Sequence, residues 1–514
     1  NARVLIKRFG SLQIEHTNTT TDSEGKFEVT GLQPVTYVLF PFLQGYAPLL
    51  RDLEDIQANV HRAGDSVTLV LTKGGVITGT VTNQAGEPVV GVNVRALMVD
   101  PSDSLSFPYN ILGSADRTDD RGVYRIYGLQ EGTFVVWAGG GGDPPRPTAD
   151  PFDGDVPTYA PSSTRETARE IAVRAGAESN GVDIQYRGDS GHAISGNVIT
   201  TERTNVSVIT LLSASGPQWE TRAFQSPADR GFMIQGVDDG DYYIVAMSHL
   251  GNSEFMFSDA KQLKVRGADV GGVQLVVQPS SSVTGRVVLE ETKATECTDK
   301  QRLVLTETLF SAESGGINPL KGMLKFFLPR SNADERGNVS LKNLLPNRYY
   351  FTTEHFAKDW YLKSIMLTTG VKPVDAARSW TTLKPGERLN GLTITLAQGA
   401  ASVRGQIALS EGETLPEKLH VYLVPAEKEG AEDPLRFYDT AVGADGKVAF
   451  DQVAPGRYLV LARVSGDESP TKLRSPDSTA YRTKLRREAE ALKAEIELKP
   501  CQKVSDFNVR FKNQ

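Results

Sequence analysis

The sequence predicts an all-β protein: a linear array of five β-sandwiches with one helix near the C-terminus. Three observations predict it. A turn–strand–turn–strand unit recurs five times, an apolar-x-Gly-x-apolar strand precedes four of the units, and a polar Gly turn with an alternating strand closes each. The 514-residue length also exceeds one core; about one domain per 100–150 residues suggests four or five.

The recurring unit reads "TDSEGKFEVTGLQPVTYVLF", "TDDRGVYRIYGLQEGTFVVW", "PADRGFMIQGVDDGDYYIVA", "ADERGNVSLKNLLPNRYYFT" and "GADGKVAFDQVAPGRYLVLA". Its turn glycines are Gly25, Gly122, Gly231, Gly337 and Gly446. Twelve residues later stand Tyr37, Phe134, Tyr349 and Tyr458; in the third copy the spacing is eleven, to Tyr242. An Asp near a Gly makes a tight turn, because the carboxylate bonds nearby backbone and Gly accepts positive φ. The five aromatics are read as repeat core residues that anchor a return strand, as in a tyrosine corner.

The strand ahead of four units is "ITGTV", "ISGNV", "VTGRV" or "VRGQI". It is read as two inward apolar residues around an outward-facing Gly, suited to close approach of a neighbouring backbone. The closing strands are "GDSVTLVL", "GAESNGVDIQY", "GADVGGVQLVV", "GERLNGLTITL" and "VSDFNVRF". The resulting domains are 1–74, lacking its first strand; 75–187, with a Gly/Pro-rich loop; 188–280; 281–398; and 399–514, with an amphipathic helix. The joints "TKGG", "GDSGH", "QPSS" and "AQGA" are short, which predicts a stiff rod.

Two stretches depart from the β pattern. "TRETAREIAV" (164–173) is expected to make one or two helical turns. In "STAYRTKLRREAEALKAEIELKP", Leu485, Ala489, Leu492 and Ile496 recur at helical spacing, predicting a helix packed on the last sandwich.

The opening "NARVLIKRFG" aligns with the second strand of the next unit, Ala2 or Val4 standing opposite Val92 or Val94. The first unit is therefore expected to lack its first strand. Ala2, Val4 and Ile6 become candidates for an open edge and a subunit contact, where a neighbouring subunit's strand would build a polymer. The simpler reading is that this strand exists but was cleaved, disordered or left out.

Composition narrows the function. The net charge of −7 is mild and spread along the chain, against a nucleic-acid partner. Nothing approaches 18 consecutive apolar residues, so no transmembrane segment is expected. Cys297 and Cys501 fit no zinc spacing. They are two buried thiols, or one disulfide formed in an oxidising compartment, within the chain or between chains. The six histidines include no H-E-x-x-H, and no G-x-S-x-G elbow appears. Neither catalytic residues nor a metal or cofactor site is predicted.

Three other features have bland readings. "GGGG" (139–142) is expected to be a flexible surface loop, since a phosphate cradle needs a Lys and a following helix. The acidic turns offer too few oxygens for calcium and are read as β-turns. Trp219, Trp360, Trp380 and "FPYN" (107–110) could form a sugar platform, but core or interface places suit them better.

The segments "ITGTVTNQAGEPVVGVNVRA", "TDDRGVYRIYGL" and "APGRYLVLA" resemble the carboxypeptidase regulatory-like domain, related to transthyretin-like and collagen-adhesin B-type domains. The resemblance covers nearly the whole chain. It implies Ig-like/transthyretin-like sandwiches, common in tandem in secreted and cell-surface bacterial proteins and lacking catalytic residues. The expected function is a non-enzymatic extracellular structural or adhesive protein, a rod-like or filament-forming subunit. Self-association is the expected partnership. The alternatives are a carbohydrate- or protein-binding surface module, or the spacer of a larger secreted enzyme or receptor.

Overall fold

The computed structural model describes residues 1–9, 16–48, 60–99, 115–140, 151–200, 207–214, 219–224, 230–250, 254–297, 302–315, 330–370, 372–409, 414–427, 430–465 and 473–511. The chain divides into two compact units, one carrying Asn1–Gln33 and Tyr37–Ser280, the other Ser281–Gly316 and Leu328–Gln514. Each is built of tandem β-sandwiches.

In the first unit, residues 75–187 show the repeating plan. The glycine strand Gly75–Thr82 runs antiparallel to the hairpin strand Val123–Leu129 and parallel to the closing strands Glu178–Ser179 and Ile184–Gln185. The facing sheet has the order Thr158–Tyr159, Gly132–Ala138, Asn93–Met98, Ala115–Arg117. Parallel pairing of the first and last strands obliges the chain to cross to the facing sheet between them. Ile77, Val81, Tyr124, Ile126, Phe134, Val136 and Ile184 fill the space between the sheets. Residues 188–280 repeat the plan, with His192–Ile199 between Gly231–Val237 and Val270–Pro279. Here Phe255–Ser258 pairs with both Gly240–His249 and Val270–Pro279 and joins the two faces into one eight-stranded sheet.

The second unit holds two more copies. Ser281–Glu290 lies between Asn338–Leu344 and Arg388–Gln398, and Ala401–Ala408 lies between Lys447–Val453 and Lys503–Arg510.

Residues 1–74 form one complete face. Its order is His16–Thr20, Arg3–Arg8, Thr36–Phe42, Val60–Arg62, and a separate pair joins Tyr46–Pro48 to Leu71–Lys73. Arg3–Arg8 thus takes the place of Asn93–Met98 in the next sandwich. It is an interior strand with a partner on each side, and Val4 and Ile6 are buried. This corrects the expectation that Ala2, Val4 and Ile6 line an open edge. The alternation that marked them as a strand points Val4 and Ile6 into the core.

The turn spacing is more regular than the glycines suggest. Positive φ occurs at Gly25, Gly122, Gly337 and Gly446, but in the third copy it falls on Arg230, not Gly231. Counted from the left-handed residue, all five aromatics lie twelve residues on. A second left-handed position lies within each hairpin stretch, at Gly31, Gly128, Gly236, Asn343 and Gln452. In the four copies with a paired hairpin strand, the ladder register shifts at that position, as a β-bulge requires.

Other expectations change. Of the one or two helical turns expected over 164–173, one forms, a 3-10 turn at Arg165–Thr167, and the rest holds a strand at Ile171–Val173. The strand pairs with Gly132–Thr133–Phe134, so sheet pairing overrides local helical periodicity. The C-terminal helix spans Thr479–Leu492 and buries Leu485, Ala489 and Arg482 against the outer face of the last sandwich, on Tyr422, Leu459 and Leu461. It ends at Lys493, which is left-handed, and Ile496 belongs to the strand Glu495–Leu498. Gly139 and Gly140 are buried with positive φ, packed on Tyr186 and Pro157, rather than part of a flexible surface loop; the rest of "GGGG" lies outside the described residues.

Candidate functional site

Four of the five repeat aromatics make the same hydrogen bond. The hydroxyls of Tyr37, Tyr242, Tyr349 and Tyr458 donate to the carbonyls of Gln33, Asp238, Leu345 and Ala454, each four residues upstream, at 3.1, 2.9, 2.9 and 2.7 Å. This is tyrosine-corner geometry. Phe134 packs in the equivalent place without a hydroxyl. Burial pushes the Tyr349 and Tyr458 hydroxyls well above their ordinary pKa.

The acidic turns are Asx turns. Oδ1 of Asp22, Asp119 and Asp334 each accepts two backbone amides of its own loop, at 2.7–2.9 Å. Their carboxylates are engaged in closing the turn. Among the described residues, no group of three acidic, His or Cys side chains is placed to hold a metal.

The glycine of each apolar-x-Gly-x-apolar strand faces inward, on the same side as its apolar neighbours, which corrects the expectation that it faces outward. Residues i, i+2 and i+4 of a strand share a face. A Cβ at Gly79, Gly196, Gly285 or Gly405 would overlap the carbonyl oxygen of Val182, Val273, Leu392 or Phe507 on the closing strand. In each case the residue just before that carbonyl's owner is left-handed: Gly181, Gly272, Gly391 and Asp506. The closing strand bulges toward the glycine strand there, and only glycine admits it.

The junction of the fourth and fifth sandwiches lies inside the second compact unit and is bonded at several points. Cys297 and Cys501 form an intrachain disulfide across 204 residues, with Cα atoms 5.3 Å apart. The amides of Gly399 and Ala400 donate to the Asp359 carbonyl at 2.8 and 2.9 Å. The Gln452 carboxamide donates to the His355 carbonyl at 2.7 Å and to His355 Nδ1 at 3.1 Å. Arg348 lies over the Trp380 ring, and both bond Asp477, at 2.9 and 3.0 Å. Trp380 is thereby a joint residue and Trp360 is a core residue, while the side chain of Trp219 and the "FPYN" loop lie outside the described residues. Burial pushes His355 down to about 4 and Asp439 up to about 6. A cavity of about 60 Å³ lined by Thr353, His355, Tyr438, Asp451, Gln452 and Arg474 adjoins the clasp, room for a water or two.

A different feature belongs to the first sandwich. The stretches 26–32 and 66–70 correspond to the hairpin and closing strands, yet neither is a strand. Among the described residues, the amides of Phe27–Leu32 and Ser66–Val70 donate to no backbone carbonyl. Phe27, Val29, Val67 and Leu69 alternate with exposed neighbours but are only half-buried. Their counterparts Tyr124, Ile126, Val182 and Ile184 are at most 2% exposed. These positions, missed in the sequence, carried a signal: a strand-like alternation flanking no apolar-x-Gly-x-apolar strand.

No protein-family model matches the chain, and no curated protein matches it. Among solved structures, it is similar to the Bacillus anthracis TIE protein, at 9% identity over 94% of this chain and 73% of that one, TM-score 0.15. It is similar to two B repeats of the Staphylococcus aureus collagen-binding protein, at 10% identity over 77% and 94%, TM-score 0.16. A third is the minor pilin GBS52 of Streptococcus agalactiae, at 11% identity over 40% and 96%, TM-score 0.17. Overlap at this level carries no functional argument.

Proposed function

We propose that the chain is a non-enzymatic extracellular structural or adhesive protein whose five domains, divided near residues 74, 187, 280 and 398, form a filament-forming subunit assembled by strand exchange or end-to-end contacts. The observation that carries this reading is the fourth–fifth joint. A disulfide, a backbone clasp by Gln452 and the Arg348–Trp380–Asp477 bonds tie two sandwiches at separate points. Such a joint resists bending and pulling, which suits a part that transmits load. The disulfide supports an oxidising compartment.

The test is negative-stain electron microscopy with sedimentation velocity across a hundredfold range of protein concentration. Filaments or concentration-dependent oligomers are expected. Compact monomers throughout, with turnover of a substrate, would replace this reading with an enzymatic one.

A further inference from the structure

We propose that the Cys297–Cys501 disulfide reroutes tension past the fourth and fifth sandwiches: a pull on the chain runs along Ser281–Glu290, crosses the bond and leaves along Lys503–Arg510, while the residues enclosed between the two cysteines carry no load. This deepens the load-bearing part of the function proposed above and rests on it.

Ser281–Glu290 pairs parallel with Arg388–Gln398, and Glu290 stands beside Ala397. It therefore runs toward the joint at Gly399 and Ala400. Lys503–Arg510 pairs parallel with Ala401–Ala408, and Lys503 stands beside Ser402. It therefore starts at the joint and runs away from it. The bond connects the end of the first of these strands to the start of the second through two short segments, 291–296 and Gln502. Those segments flank the direct linker. The Cys501 amide donates to the Gly399 carbonyl at 3.0 Å, and a Cβ at Gly399 would lie 3.4 Å from Pro500 and 3.6 Å from Thr292. The other strands of both sandwiches lie between the two cysteines in the chain.

A strand has little slack. At about 3.3 Å per residue it is already close to full extension, so tension along Ser281–Glu290 and Lys503–Arg510 draws out almost no length. The forces at the two ends of each strand oppose one another, and the sandwich packed on it feels no net pull. Opening the bond changes the route. Load entering at Ser281 must then leave through Gln398, so the parallel ladder between their strands is pulled from opposite ends and sheared. The same holds for Ala401–Ala408 and Lys503–Arg510 in the fifth sandwich. Shear loads every pair of a ladder at once, and its failure unfolds the whole sandwich. The oxidation state of one bond thus sets how far the second compact unit extends under tension.

The experiment stretches single molecules of the full chain between handles ligated to its two ends, without reductant, and compares the parent with Cys297→Ala/Cys501→Ala. Fully extended, the variant should be longer than the parent by about 700 Å, 204 residues at about 3.4 Å each. This comparison holds whether or not the variant folds. A folded variant should also show two long unfolding steps that the parent lacks; if it does not fold, parent molecules reduced with dithiothreitol after mounting supply those steps. Equal extended lengths overturn the bypass. Two additional short steps in the oxidised parent, one for each strand stripped from its sandwich, overturn the claim that the sandwiches feel no load. A chain that shows the 700 Å shortfall yet stays monomeric at every concentration upholds the bypass and sinks the filament reading. A filament-forming chain without the shortfall does the reverse.

Discussion

The side chain of Gln452 reaches across from the fifth sandwich and donates to the His355 carbonyl of the fourth at 2.7 Å. Gln452 does so from a left-handed backbone, φ 57, at the bulge position that glycine holds in three copies. A non-glycine residue there costs about 1–2 kcal/mol, and the side chain offsets it by bonding the neighbouring domain.

Two substitutions separate these effects. Gln452→Ala keeps the backbone strain and loses the clasp, so it should destabilise the fifth sandwich by about 1–2 kcal/mol. Gln452→Gly loses the clasp but relieves the strain, leaving stability within about 1 kcal/mol of the parent. Thermal denaturation of the two variants checks the order; equal losses would mean the strain is not relieved.

Acid should loosen the same joint. The amide of Gln452 leaves His355 Nδ1 as an acceptor, and burial holds the imidazole down to about 4 against an ordinary value of 6.5. The folded state therefore binds fewer protons than the unfolded state between these values. Stability from neutral His355 is fully present above about pH 6.5 and is lost as pH falls toward 4, by up to about 3 kcal/mol. Asp439, pushed up to about 6 from 3.8, has the opposite sign: its protonated form favours the fold below about pH 4, and that contribution is lost as pH rises through 6. Melting temperature followed from pH 7.5 to 4 should fall less in His355→Asn than in the parent. Asp439→Asn should raise it at pH 7.

The inward glycines should tolerate no side chain. Gly285→Ala places a methyl against the Leu392 carbonyl, and the pairing of the two strands leaves no easy relaxation. A loss above about 4 kcal/mol is expected. Gly86→Ala, a turn residue with φ +81 and open space around it, should cost only about 1–2 kcal/mol. Denaturant unfolding of the two variants distinguishes collision from conformational strain.

The tyrosine corners give a graded series. Tyr349→Phe removes one hydroxyl bond to the Leu345 carbonyl and should cost about 1 kcal/mol. Tyr458→Phe also removes the acceptor for Arg436 Nε, and should cost about 2 kcal/mol because a half-buried guanidinium loses a partner. If Tyr458→Phe is the milder change, the Arg436 bond contributes nothing.

Removing the Cys297–Cys501 disulfide, as the Cys297→Ala/Cys501→Ala pair, should cost about 2–5 kcal/mol, given the long loop it closes. The loss should appear in unfolding of the fourth and fifth sandwiches and leave residues 1–280 unaffected, which hydrogen exchange resolves by segment.

The sequence by itself determined the sandwich class, the repeat, and the residues of the tyrosine corners. Periodicity, turn chemistry and the constant distance from turn to aromatic are local properties written along the chain. It also flagged Cys297 and Cys501 but could not choose between thiols, an intrachain bond and an interchain bond, because 204 residues separate them. Three things were decided only in three dimensions. The backbone that presses on Gly79 and its counterparts belongs to a closing strand far along the chain. The turn residue of the third copy proved to be Arg230, because backbone conformation, not residue type, sets the register. Val4 and Ile6 lie in a completed sheet, while the unpaired backbone runs through 26–32 and 66–70. A strand's own alternation says which residues point together, but only the packed fold says which side has a neighbour.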